Sequence, residues 1–261
     1  MKRFGKTGVV RSGLGCIAFV AAVLLTLVGC GATDSDNVRT GGVRATLMVE
    51  ATGDGTSEVS AKFTVGSGGI GGTNLDLKAG DSATASANGI EKTLRKKTDA
   101  LGGISYDGAF DFDAGETLFR VALNRANDTS APNSTVRLTE PFAVTLPENN
   151  QRFALDDALT VAWSPSGYGS SMDLVFVAKC PSGAQTMTRV TYRSTGDDGS
   201  YSPGLGSLVG DAAAGLPPGS DCRVEMEIAR SRSGQLDPNY GEGGTITAAQ
   251  KRDRTFFVDL P

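Results

Sequence analysis

From Val43 onward, apolar and polar positions alternate with a period of two, the pattern of half-buried strands. Residues 45–50 start this texture, and Gly53-Asp54-Gly55 turns it before residues 59–65 alternate again. Residues 82–87 and 90–97 flank Asn88-Gly89, a pair that accepts the positive φ angles of a tight hairpin. Residues 106–113 interleave aromatics with acids, and Phe119, Val121 and Leu123 share one face of residues 117–124. Between Val43 and Pro261 no segment sustains a helical period. A helical turn over residues 92–100 competes with the hairpin, which uses those residues better. The expectation is an all-β protein.

The pattern also repeats. Phe142-Ala143-Val144-Thr145-Leu146-Pro147 matches Phe256-Phe257-Val258-Asp259-Leu260-Pro261 as F-x-V-x-L-P, at the offset that separates Gly53-Asp54-Gly55 from Gly167-Tyr168-Gly169. Arg125 and Pro132-Asn133 correspond, at slightly shorter offsets, to Arg230 and Pro238-Asn239. The common order predicts two copies of one fold, residues 42–147 and 153–261, each near the ~100 residues of an immunoglobulin-like sandwich.

In the second copy, Leu159-Thr160-Val161-Ala162-Trp163-Ser164-Pro165, a Gly/Ser loop and then residues 174–180 resemble strands B and C of a fibronectin type III domain. The resemblance implies a core role for Trp163; the alternative is a platform for stacking sugars. It also implies strand B at about 158–163, C at 173–180, F at 222–230 and G at 253–260. The cysteine pair and the missing strand C tyrosine depart from that family.

The first thirty residues are of another kind. Lys2, Arg3, Lys6 and Arg11 form a basic start, and residues 14–28 an apolar run too short to span a bilayer. Leu27-Val28-Gly29-Cys30 resembles the lipobox of bacterial lipoproteins. That resemblance implies removal of residues 1–29, a diacylglyceryl thioether on Cys30 and a membrane partner through that lipid. Residues 30–41 then read as lipidated cysteine and polar tether. Gly31 in place of Asp points to the outer membrane in a two-membrane cell. Cys180 and Cys222, the two cysteines of the exported domains, are expected to form a disulfide, since C ends and F starts at the same end of one sheet.

Composition narrows the chemistry. All 29 acidic residues follow Cys30, whereas four of the 25 basic residues precede it, so the exported part is acidic and argues against nucleic acid. The absence of histidine excludes Ser-His-Asp catalysis and His-ligated zinc. Asp107, Asp111, Asp113 and Glu116 form the densest acid cluster, for which solvated acids, a calcium site and catalytic carboxylates compete. The basic runs Arg95-Lys96-Lys97 and Lys251-Arg252 read as charges that block edge pairing. Gly66 to Gly72 lacks the Lys-Ser or Lys-Thr of a phosphate loop.

Three tyrosines stand among Gly and Ser, as in antibody-like binding loops. Tyr168 falls in the expected B–C loop, Tyr201 in the D–E loop and Tyr240 in the F–G loop, all at one end of the second sandwich. They either pack the junction between domains, bind a ligand, or do neither. The reading is a non-catalytic envelope lipoprotein, a binding or structural module needing no cofactor or metal, with an envelope protein or glycan as partner. A carbohydrate-binding or adhesive protein using the tyrosine loops is the alternative, and a carboxylate-dependent hydrolase the third.

Overall fold

The computed structural model describes residues 32–66, 72–78, 80–168, 171–182 and 185–261. Cys30, and most of the Gly66 to Gly72 segment, lie outside the described residues. The strands in chain order are β1 (Thr33–Asp34), β2 (Val43–Ala51), β3 (Ser57–Val65), β4 (Thr73–Asp76), β5 (Ser82–Ala87), β6 (Ile90–Thr93), β7 (Arg95–Thr98), β8 (Ile104–Phe110), β9 (Leu118–Asn124) and β10 (Ala131–Arg137). They continue with β11 (Ala143–Leu146), β12 (Gln151–Ala154), β13 (Val161–Ser164), β14 (Ser171–Ser182), β15 (Gln185–Gly196), β16 (Ser200–Tyr201), β17 (Asp221–Ser233) and β18 (Gly244–Asp259). Among the described residues one short α-helix, α1 (Leu205–Val209), continues into a 3-10 turn (Gly210–Ala213) before β17.

Alternation produced these strands. In β2 every second residue from Val43 to Ala51 is buried, and β14 buries Met172, Leu174, Phe176, Ala178 and Cys180 in the same way. The β5–β6 hairpin turns at Asn88 and Gly89, both at positive φ (50° and 78°), as the Asn-Gly pair requires. The run expected from 90 to 97 breaks at Leu94, which is buried where the chain leaves β6 in one sheet for β7 in the other.

Two cores form. In the first, a sheet containing β2, β3 and β8 packs on the sheet β10–β9–β5–β6. In the second, β15–β14–β17–β18 packs on β11–β13–β16 and α1. The second arrangement carries the predicted B, C, F and G strands as β13, β14, β17 and β18. Cys180 and Cys222 are joined across β14 and β17, with Cα atoms 4.3 Å apart.

The division between the units differs from the repeat-based expectation. Leu138 is the last residue of its segment in the first core, and Phe142 and Val144 already belong to the second. Phe142 and Phe256 therefore pack in the same core: the two F-x-V-x-L-P segments are the first and last strands of one sandwich, not the closing strands of two copies. Nor is the segment 153–261 confined to the second unit. Tyr240, Ile246 and Ala248 lie in the first core. Strand β18, 16 residues long, pairs in parallel with β2 through Gly244 to Gln250 and antiparallel with β17 from Thr247 to Asp259. At ~3.4 Å per residue it runs about 54 Å, through both sandwiches. Gly244 (φ +134°) lies against the backbone of Ala45, so the strand can begin there only without a side chain. One continuous sheet thus serves both cores.

The expected tether is also folded. Thr33 and Asp34 pair with Leu75 and Asp76. Arg125 donates from Nη2 to the carbonyls of Ser35 (2.7 Å) and Val38 (2.8 Å), and Thr40 N donates to Asp128 (2.6 Å). Ser35 and Thr40 are buried in this otherwise solvent-facing segment, and side chains of the first sandwich hold its backbone.

Candidate functional site

The deepest charge is at the junction. Arg230, on β17, is fully buried, and its Nη2 lies 3.0 Å from Asp197, equally buried. Nη1 donates to Glu140 O (3.0 Å) and Nη2 to Pro165 O (2.5 Å), while Trp163 Nε1 donates to the same Asp197 oxygen (2.8 Å). The guanidinium lies over two rings, 4.9 Å from that of Phe142 and 5.2 Å from that of Tyr168. Arg230 Nε has no partner among the described residues. Arg125, its counterpart in the repeat, makes a second buried pair with Asp81 at 2.8 Å. Both pairs tie loops to strand ends, and the Arg125–Asp81 pair lines a polar cleft of about 390 Å³ beside residues 36–39. The sequence signal was an arginine at an inward position after Val224, Met226 and Ile228.

The three tyrosines do not form one cluster. Tyr240 is buried in the first core, stacked on Phe63 at 6.2 Å, and its segment is bonded to the first unit. Asn133 N donates to Asp237 (2.7 Å) and Asn239 Nδ2 to Ser130 O (2.8 Å). Burial holds the Tyr240 phenol above the ordinary tyrosine range. Tyr201 is not in a loop but in β16, packed on the second core. Tyr168 is half-exposed and rests on Arg230. The shared end expected of them is absent because the F–G segment inserts into the first sandwich. Tyr240 serves the junction, through Phe63 rather than residues 142–151, and presents no ring to a ligand.

The acid cluster disperses. Asp107 accepts from Ser60 and Ser105, Asp113 from Gly55 N, and Glu116 pairs with Arg232 at 2.7 Å, while the Asp111 side chain is 94% exposed. Among the described residues no three acids or cysteines stand close enough to hold a metal ion. Trp163 is a core residue, 3% exposed.

An open concavity of about 960 Å³ lies on the first sandwich. Its floor is the outer face of β2, β3 and β8, from Met48, Ser60 and Asp107, and its wall is the strand pair β6–β7. Five cations line it, Lys62, Lys92, Arg95, Lys96 and Lys97, against three acids, Glu50, Glu58 and Asp107. Lys96 is taken by Asp76 at 2.6 Å, and Lys92 faces Asp111 at 4.0 Å. Lys62, Arg95 and Lys97 have no carboxylate within pairing distance among the described residues. They face the groove because Lys62 occupies an outward position of β3 and Arg95 and Lys97 stand opposite Asp107 and Ser105 across the β7–β8 pair. The run Arg95-Lys96-Lys97 does sit on an outer strand, as edge protection requires. Its convergence with Lys62 was not readable, since β3 and β7 are thirty residues apart. Chemically, the groove can hold anionic oxygens; it contains no cysteine to serve as a nucleophile.

No protein-family model matches the chain, and no curated protein does. Among solved structures, the fibronectin(III)-like modules of Clostridium thermocellum CbhA are similar at 11% identity, covering 83% of this chain and 94% of that one, with a TM-score of 0.24. An I-band fragment of titin is similar at 11% identity, covering 84% and 65%, with a TM-score of 0.22. The chain is a tandem of immunoglobulin-like β-sandwiches. Its strand order and its two cores establish that fold; superpositions this loose add nothing on activity or partners. Among the described residues no helix is long and apolar enough to cross a membrane.

Proposed function

We propose that this chain is a cell-envelope lipoprotein, anchored through Cys30, whose sandwiches form one rigid, non-catalytic binding module that takes an acidic envelope glycan or similar polyanion in the groove of the first sandwich. The observation that carries this reading is the convergence of Lys62, Arg95 and Lys97, without carboxylate partners among the described residues, in a chain whose acids outnumber its bases. Unpaired cations along one groove raise the local concentration of anions. The junction supports the same reading, because a shared strand keeps the groove at a fixed angle to the rest of the molecule.

The test uses two labelled polyanions, polyglutamate for carboxylates and inorganic polyphosphate for phosphates. The wild type should bind at least one, more weakly as salt rises. Lys62→Glu, Arg95→Glu and Lys97→Glu together should weaken binding at least tenfold with the melting temperature unchanged. Binding of neither polymer, or equal binding by the triple variant, overturns the groove reading and leaves a spacer.

A further inference from the structure

The topology fixes the end from which the lipid anchor emerges. Strand β1 runs parallel to β4, with Thr33 beside Leu75 and Asp34 beside Asp76. Traced backwards, the chain heads toward the start of β4, where Thr73 pairs with Val65 at the end of β3 and Val65 pairs with Val43 at the start of β2. Strand β18 begins at this same end, Gly244 beside Ala45. The second sandwich lies along β18 in the opposite direction. Two residues separate Cys30 from Thr33, so the three steps between them span at most about 11 Å.

The turn between β7 and β8 reaches that end too. Strand β8 runs antiparallel to β3, Tyr106 opposite Ala61, so its start at Ile104 lies toward the end of β3. Asn74 of β4 lines one small cleft, about 290 Å³, with Asp99 and Gly103 of the turn. Lys96 binds Asp76 at 2.6 Å and fastens the hairpin to β4. At the tip of the turn stands Leu101, 91% exposed, the most exposed large apolar side chain among the described residues.

Leu101 is held in that position. Asp99 Oδ1 accepts from Leu101 N and Gly103 N, each at 2.8 Å. Gly102 N donates to Asp99 O (3.1 Å) and Asp99 N to Gly103 O (2.9 Å). The hydrogen bonds from Gly103 and Leu101 keep the Asp99 carboxyl below its ordinary range, so the clamp persists in its ionised form. A lone exposed leucine is ordinary on a protein surface. A leucine clamped at a hairpin tip, at the end where a lipid-bearing segment a few residues long leaves the fold, is placed to meet the bilayer.

We propose that Leu101 is a second membrane contact, inserted at the boundary of headgroups and acyl chains beside the Cys30 lipid. The inference rests on the lipid anchor proposed above. Once the lipid is in the bilayer, insertion of the tip is an intramolecular event, so a contact too weak to bind a membrane alone suffices to orient the molecule. The first sandwich then stands on the membrane with the second above it.

The lipidated full chain, reconstituted in phosphatidylcholine–phosphatidylglycerol vesicles doped with nitroxide lipid, tests this. A fluorophore is attached to Leu101→Cys or, in the second sandwich, to Tyr192→Cys, where the native side chain is 71% exposed. The label at position 101 should be quenched several-fold more than the label at 192. Clickable fatty acid should mark the wild type but not Cys30→Ala. Equal marking of both ends the anchor reading and this inference with it. A lipidated chain whose two labels are quenched alike keeps the anchor and overturns the contact.

Discussion

Arg230→Met is expected to destabilise the protein by about 3–5 kcal/mol, read as a fall in the urea midpoint with the slope preserved. The substitution removes one partner of a buried ion pair and leaves Asp197, its carboxylate bonded then only by Trp163 Nε1 and Tyr168 N, as an uncompensated charge. The carbonyls of Glu140 and Pro165 lose their donors as well. Adding Asp197→Asn should recover part of the loss, because the amide oxygen still accepts from Trp163 while the buried charge is gone. A loss below about 1 kcal/mol would mean that water reaches the pair.

The double variant Cys180→Ala, Cys222→Ala should lose about 4 kcal/mol by the chain-entropy relation for the 42-residue separation the disulfide closes. Its consequence extends beyond the second sandwich. Cys222 pairs with Val258 on β18, whose other half completes the first core. Loosening β17 at that end should lower the melting temperature of the entire molecule. Unchanged melting in the variant, or free thiols in oxidised wild-type protein, would contradict this.

Much of the fold was legible because burial writes itself into alternation. β2, β3, β13, β14 and β17 carry mostly apolar residues at alternate positions, Asn88-Gly89 marks its own turn, and Cys180 and Cys222 fall at matching strand ends. The shared strand was not legible. Its first half, Gly244 to Gln250, buries Ile246, Ala248 and Gln250, and a fully buried glutamine reads as a surface residue. Gln250 is buried because its Nε2 finds the carbonyl of Asp113 at 2.8 Å, 137 residues away in sequence. Tyr240 misled for the same reason. Asp237-Pro238-Asn239-Tyr240-Gly241 has the composition of a free loop, and only Phe63 and Ser134, far off in the chain, make it an insertion. Residues 32–42 look like a tether until Arg125 and Asp128 are placed beside them. In each case a polar segment is ordered by distant hydrogen-bonding partners, which leave no local periodicity.

The central claim is that one strand makes two sandwiches a single body, and differential scanning calorimetry of the purified protein tests it most directly. The account predicts one transition in which the calorimetric and van't Hoff enthalpies agree, shifting as a whole in Tyr240→Ala, which opens a cavity in the first core. Two separable transitions, with Tyr240→Ala moving only one of them, would contradict it.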